Sequence, residues 1–301
     1  MTEQLPQASG DSPVAVVDAH THVFAPEVVQ GREGFFGRDL WFEHLYANPK
    51  ALLITADELL ASMDAAGIAQ AVVCGFPWRD PGICREHNDY MAEACAASGG
   101  RLAWLATVSP LSGEQAAREA ERAFALGACG LGELNADAQG FDLREPAPLR
   151  PTVEACLAAD RPLMLHATEP VGHTYPGKGT ATPDRLLAFL EAFPELRVVA
   201  AHWGGGLPFY ELMPEVRQAA ARVVYDSAAS TYLYRFEIFR IVLDLVGPER
   251  VMFASDYPIL RQDRFLRRVQ QTPWRDPEEE RLVLGETARR VYGLAPVDET
   301  P

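Results

Sequence analysis

Lysine is nearly missing from this chain. Of its 301 residues only Lys50 and Lys178 are lysines, so the 27 basic residues are otherwise arginine. They stand against 42 acidic residues, a formal net charge of −15 that repels phosphate backbones and anionic lipid. Nucleic acid and membrane are therefore not expected as partners. No run of eighteen apolar residues is present to span a bilayer. The cysteines Cys74, Cys84, Cys95, Cys129 and Cys156 are odd in number and show no CxxC spacing, which predicts small core residues with free thiols in a reducing compartment. The opening MTEQLPQASGDSP lacks the basic and apolar regions of a secretory signal, so a cytoplasmic location is expected. No Gly/Ser-rich linker or low-complexity tract divides the chain.

What is present is an alternation of short β-rich runs with helical stretches. Runs beginning at Val14, Ala69, Leu102, Ala128, Pro162, Leu196, Arg222 and Arg250 are each followed by a helical pattern, which makes eight βα units. An aromatic and glycine-bearing insertion, FFGRDLWFEHLY, follows the first. Eight units in one uninterrupted chain of this length predict an α/β fold, a single (β/α)8 TIM barrel over residues 14–294 with an insertion after strand 1. Residues 1–13 are expected to form a disordered tail, and 295–301 a short C-terminal one. A doubly wound sheet would carry a glycine-rich loop after its first strand, and DAHTHVF is not one.

In such barrels the chemistry sits at the C-terminal ends of the strands. Strand one ends DAHTH, and the two-residue period points His20 and His22 to one side, into the mouth. Strands four, five, six and eight end at Glu133, His166, His202 and Asp256. Four of the seven histidines thus fall at strand ends. His44, His87 and His173 fall in expected loops or helices. Nitrogen and carboxylate donors without thiolate suit zinc first, with manganese, iron or nickel as alternatives, and one or two ions. Asp18, two residues before His20, is expected either to orient a ligand imidazole or to make a hydrogen bond inside the barrel.

The motifs DAHTH at 18–22, LHATEP at 165–170, AHWGGG at 201–206 and FASDYP at 253–258 resemble the amidohydrolase superfamily of metal-dependent barrels. The resemblance is to the amidohydrolase-related branch that includes aminocarboxymuconate semialdehyde decarboxylase. It implies that His20, His22, His166 and Asp256 hold a metal, and that His202 is a second-metal ligand or an acid/base beside it. Carbamate-bridged members place a lysine near the end of strand four, and here none lies within 40 residues of Glu133. Glu133 itself stands where deoxyribonuclease-like hydrolases of the superfamily place a bridging carboxylate. It is expected either to bridge two ions or to meet substrate as a rim carboxylate.

The reaction expected first is hydrolysis of a C–N or C–O bond in a small organic substrate. Metal-activated water would attack, and Asp256 and His202 would be the catalytic pair. The alternative is metal-dependent, non-oxidative decarboxylation of an aromatic or enoic acid. A non-catalytic barrel is disfavoured because every expected ligand position is filled. The long connection after strand five, ATEPVGHTYPGKGTATP, offers Glu169, His173 and Lys178 as substrate contacts or as a solvated lid. Trp203, with Phe35, Phe36 and Trp41 of the insertion, is expected to wall an apolar pocket or to serve local packing. The glycines 204–206 are a weak candidate for an anion cradle. The partner is a small molecule; the oligomeric state is left open, a homodimer among the alternatives.

Overall fold

The computed structural model describes residues 14–297, so the expectation for the tail 1–13 and for the last four residues of the C-terminal tail lies outside the described residues. Eight parallel strands run in the order β1 (Val17–Thr21), β2 (Gln70–Cys74), β3 (Leu102–Ala106), β4 (Gly130–Leu134), β5 (Leu163–Leu165), β6 (Val198–Ala200), β7 (Val223–Asp226) and β8 (Val251–Met252). Every neighbouring pair in that order is hydrogen-bonded in parallel register. The seam between β8 and β1 is closed by Ala19 N to Phe253 O (2.9 Å), Asp256 N to His20 O (2.9 Å) and His22 N to Tyr257 O (2.8 Å). The fold is a TIM barrel, as the eight units predict.

The strands are short apolar runs such as QAVVC, LML and VVA, and both of their faces are covered. Val17, Val72, Leu105, Met164, Val199, Val224 and Met252 fill the interior. The opposite side chains, among them Val73, Trp104, Leu163, Val198 and Phe253, pack under the helices. A third cluster, Phe24, Phe42, Tyr46, Phe76 and Trp78, is built largely by the insertion, which folds as helices Pro26–Gln30 and Leu40–Tyr46.

Helix ends follow local chemistry. Thr55 and Glu58 form a reciprocal capping box, and that helix stops at Gly67, whose φ of 71° suits glycine. The helix after β2 starts at Pro81, because the Asp80 side chain accepts from Gly82 N and Ile83 N. The helical stretch LPFYELMPEVRQAA after β6 is two helices, Leu207–Tyr210 and Pro214–Ala219. Proline 214 opens a new helix instead of continuing the old one. The last unit contains two helical stretches, Gln262–Val269 and the one that opens at Pro277.

Candidate active site

Two irregularities of register aim the mouth. Between Asp18 and Thr21 three steps of β1 oppose two of β2, and between Leu131 and Leu134 three steps of β4 oppose two of β5. An extra residue breaks strict alternation and redirects a side chain. In β1 the result is that Val17 and Ala19 lie in the interior cluster, while His20 and His22 still converge at the mouth. Asp18 does not share their direction. Its carboxylate accepts Ser255 N (2.8 Å), Ser255 Oγ (2.5 Å) and Gln262 Nε2 (2.8 Å), so it makes an internal hydrogen-bond network and orients no imidazole. Burial pushes its pKa up to about 6 against those donors.

The six strand-end residues meet as two triads, each with donor atoms within 4.8 Å of one another: His20, His22 and Asp256, then Glu133, His166 and His202. All six are at most 9% exposed. In the first triad Nε2 of His20 lies 3.0 Å from Nε2 of His22, and Asp256 Oδ1 lies 3.4 Å from His22 and 3.8 Å from His20. Glu133 faces both triads. Its Oε2 is 3.8 Å from His20 and 3.9 Å from His22, while Oε1 is 2.8 Å from His166 Nδ1 and 3.2 Å from His202 Nε2.

The far ring nitrogens are already committed. Nδ1 of His20 meets Asp226 Oδ2 at 2.9 Å, Nδ1 of His22 meets Cys74 O at 3.2 Å, and Nδ1 of His202 meets Ala228 O at 3.3 Å. An N–H donated to each acceptor leaves the Nε2 atoms of His20 and His22 as two lone pairs facing each other. Only a proton or a cation relieves that contact. Donors about 2.1 Å from a tetrahedral ion stand about 3.4 Å apart, and the separations of 3.0 to 3.9 Å among His20, His22, Asp256 and Glu133 bracket this value. The residues therefore fit a divalent cation.

Charge points the same way. Glu133, Asp226 and Asp256 are three carboxylates in one buried cluster, which is stable only with compensating positive charge. Burial opposes the ionised form of Glu133, yet His166, His202 and His20 hold its carboxyl well below the usual range. Burial likewise opposes the charged ring of His202, but the bond to Glu133 and the nearby carboxylates push it up to about 10. For His20, Asp226 overcomes burial and carries the ring to about 9.

Asp226, at the end of β7, was not foreseen, although a strand-end carboxylate like Glu133 and Asp256 carried the same signal. Tyr46 of the insertion packs with Phe24, Phe42 and Phe76; burial raises its hydroxyl pKa, and the charges of Asp256 and Glu133 raise it further. The proposed substrate contacts are divided. Trp203 is fully buried, donates Nε1–H to Ser230 Oγ (2.8 Å) and stands edge-on to Phe239, so it packs under the helices and walls no pocket. The cause is the left-handed backbone of His202 (φ 56°) and Trp203 (φ 59°). Phe35, Phe36 and Trp41 pack on the insertion's own cluster. Glu169 accepts from Tyr175 Oη (2.8 Å), and Lys178 Nζ is spent on the carbonyls of Val171 (2.7 Å) and His173 (3.0 Å) within its loop. His173 is exposed and stands beside Tyr175. Gly205 serves close packing rather than an anion cradle, since a Cβ there would stand 2.2 Å from Thr168 O.

The family model described as Amidohydrolase, of the amidohydrolase-2 kind, matches residues 17–294. The gamma-resorcylate decarboxylase of Rhizobium radiobacter is 26% identical, across 91% of this chain and 96% of that protein. Among solved structures, 5-carboxyvanillate decarboxylase from Sphingomonas paucimobilis superposes with a TM-score of 0.77 at 21% identity, covering 94% of this chain and all of that one. The 5-carboxyvanillate decarboxylase of Novosphingobium aromaticivorans, complexed with manganese and 4-hydroxy-3-methoxy-5-nitrobenzoic acid, gives 0.76 at 21% identity over 95% of this chain and 98% of that one. These relatives overturn the hydrolysis expected from the sequence: the curated relative similar over 91% of the chain is a decarboxylase, as are both solved neighbours, which supports the alternative reading over C–N or C–O hydrolysis.

Proposed function

This chain belongs to the amidohydrolase family over residues 17–294, and on that footing we propose that it is a metal-dependent, non-oxidative decarboxylase of a hydroxylated aromatic acid. The observation that carries the reading is the placement of His202. Its Nδ1 faces the Ala228 carbonyl and its Nε2 faces Glu133, so both nitrogens address acceptors and the ring is built to hold a proton. A decarboxylase needs such a proton for the carbon that loses its carboxylate.

The ion would rest on His20, His22 and Asp256, with the Glu133 carboxylate beside them. Imidazole and carboxylate donors suit manganese as well as zinc, and the manganese of the Novosphingobium neighbour supports manganese over the zinc expected first. When bound, the ion supplies fixed positive charge and Lewis-acid polarisation for an anionic substrate oxygen.

The remaining work belongs to the chain. The buried mouth excludes bulk water, and the Glu133 carboxylate keeps His202 charged until substrate arrives. The C–C bond to the carboxylate breaks, its electron pair stays on the ring carbon, and the proton on His202 Nε2 forms the new C–H bond. Carbon dioxide leaves, and His202 regains a proton from solvent.

The test is a panel of hydroxybenzoic acids, including 2,6-dihydroxybenzoate and 5-carboxyvanillate, given to protein loaded with manganese or with zinc. Release of carbon dioxide is expected, and in heavy water one deuterium should enter the arene product at the carbon vacated. Folded, ion-saturated protein that releases carbon dioxide from none of them would overturn the proposal.

A further inference from the structure

Asp226 is a strand-end acid that lies behind the mouth and contacts both His20 and the backbone of His202. It is fully buried at the end of β7. Oδ2 meets Nδ1 of His20 at 2.9 Å, and Oδ1 accepts the backbone N–H of His202 (2.9 Å) and of Ala228 (3.1 Å). Ala228 in turn offers its carbonyl to Nδ1 of His202. One carboxylate therefore fixes a ring on β1 and a turn after β6, and the turn it holds is strained: His202 sits at φ 56°, ψ 47° and Trp203 at φ 59°, ψ 26°, a pair of left-handed residues neither of which is glycine.

The geometry points to Asp226 as the positioning residue of the site: by taking the Nδ1 proton of His20 and the backbone N–H of His202, it sets the ring nitrogen His20 shows to the ion and the placement of the His202 ring. The inference rests on the reading that this mouth holds a divalent ion; it does not depend on which acid is decarboxylated. A carboxylate behind a ligand imidazole fixes its tautomer and raises its basicity. Here the same carboxylate also holds the proton-carrying residue, so ligand and acid are set by one group.

Asp226→Asn separates positioning from bulk. The amide oxygen can still accept from His202 and Ala228, but the amide NH2 would then oppose the Nδ1–H of His20. The ring has to move its proton to Nε2, which removes the lone pair from the mouth. Stripped protein is titrated with manganese and with zinc by calorimetry. The variant is expected to bind about 10- to 100-fold more weakly than wild type. Binding within twofold of wild type by folded Asp226→Asn would overturn the assignment alone, whereas a wild type that binds neither ion would overturn the ion reading and this assignment with it. If the variant does not fold, nitrogen-15 spectra of the ion-loaded wild type decide, with the His20 signals identified by their loss in His20→Gln. A proton on Nδ1 of His20 supports the assignment, and a proton on Nε2 overturns it.

Discussion

Gly177 turns its carbonyl oxygen to within 3.0 Å of Nε2 of His166, so the connection after β5 is hydrogen-bonded to a residue inside the mouth. The same connection is tied down from outside by His44 of the insertion, whose Nε2 lies 3.0 Å from Pro176 O, and by Asp137, which accepts Thr180 N at 2.6 Å. Six site residues at most 9% exposed admit no aromatic acid unless this cover moves. His44→Ala removes one of the two outer ties and leaves the mouth intact. Limited proteolysis should then cut the exposed stretch 171–174 several-fold faster than in wild type, with cleavage elsewhere unchanged. Equal rates in the two proteins would show that His44 does not restrain the loop.

Glu133 decides how many ions the mouth holds. With Oε2 toward His20 and His22 and Oε1 toward His166 and His202, it would, on the proposed reading, close one ion site and hold the proton on His202. Equilibrium dialysis is expected to find one equivalent of ion in wild type, and at least about tenfold weaker binding in Glu133→Gln. Two equivalents falling to one in the variant would make Glu133 a bridge between two ions. Unchanged affinity would move it to substrate.

The barrel and the cluster at its mouth were legible because both are periodic: apolar runs recur at regular spacing, and the polar residue ending each run has one place to go. What was not legible depends on neighbours. The direction of Asp18 follows from a register slip against β2, which the sequence of β1 does not encode by itself. Trp203 follows His202 directly, so a pocket role was natural, but the left-handed turn at both residues sends the indole under the helices. Asp226 ends its strand as Glu133 and Asp256 end theirs; what singles it out, its contacts with His20 and with the backbone of His202, exists only in the folded barrel. The preference for hydrolysis failed for a different reason. Metal ligands serve water attack and carbon protonation alike, so the ligand set could not choose between them.

Stability should show its own pH dependence away from the mouth. Arg240 grips Glu279 through two bonds of 2.7 and 2.8 Å, joining helix Ile238–Val246 to helix Pro277–Arg281, and Arg275 N adds a third at 2.8 Å. The Arg240 bonds hold the Glu279 carboxyl below its ordinary value, with burial opposing. A depressed folded-state pKa contributes stability above the unfolded value of about 4.3 and loses it as pH falls through the folded value. Urea unfolding should show Glu279→Gln less stable than wild type at pH 7, with the gap narrowing below about pH 4.3. A gap that stays constant down to pH 3 would remove the pair from the acid response.

The sharpest test of the chemistry is His202→Asn. Asparagine tolerates left-handed backbone better than most side chains, so the φ of 56° at this position survives, and the backbone N–H still reaches Asp226. What is lost is the proton held at Nε2 between the ring and Glu133. Because the proposed ion rests on His20, His22 and Asp256, its affinity should change only a few-fold. Carbon dioxide release from the best hydroxybenzoate should fall by about 10²- to 10⁴-fold, the usual contribution of a positioned acid. Measuring both quantities on one preparation separates the roles. A rate within fivefold of wild type would deny His202 the proton, and a lost ion with a lost rate would make it a ligand instead.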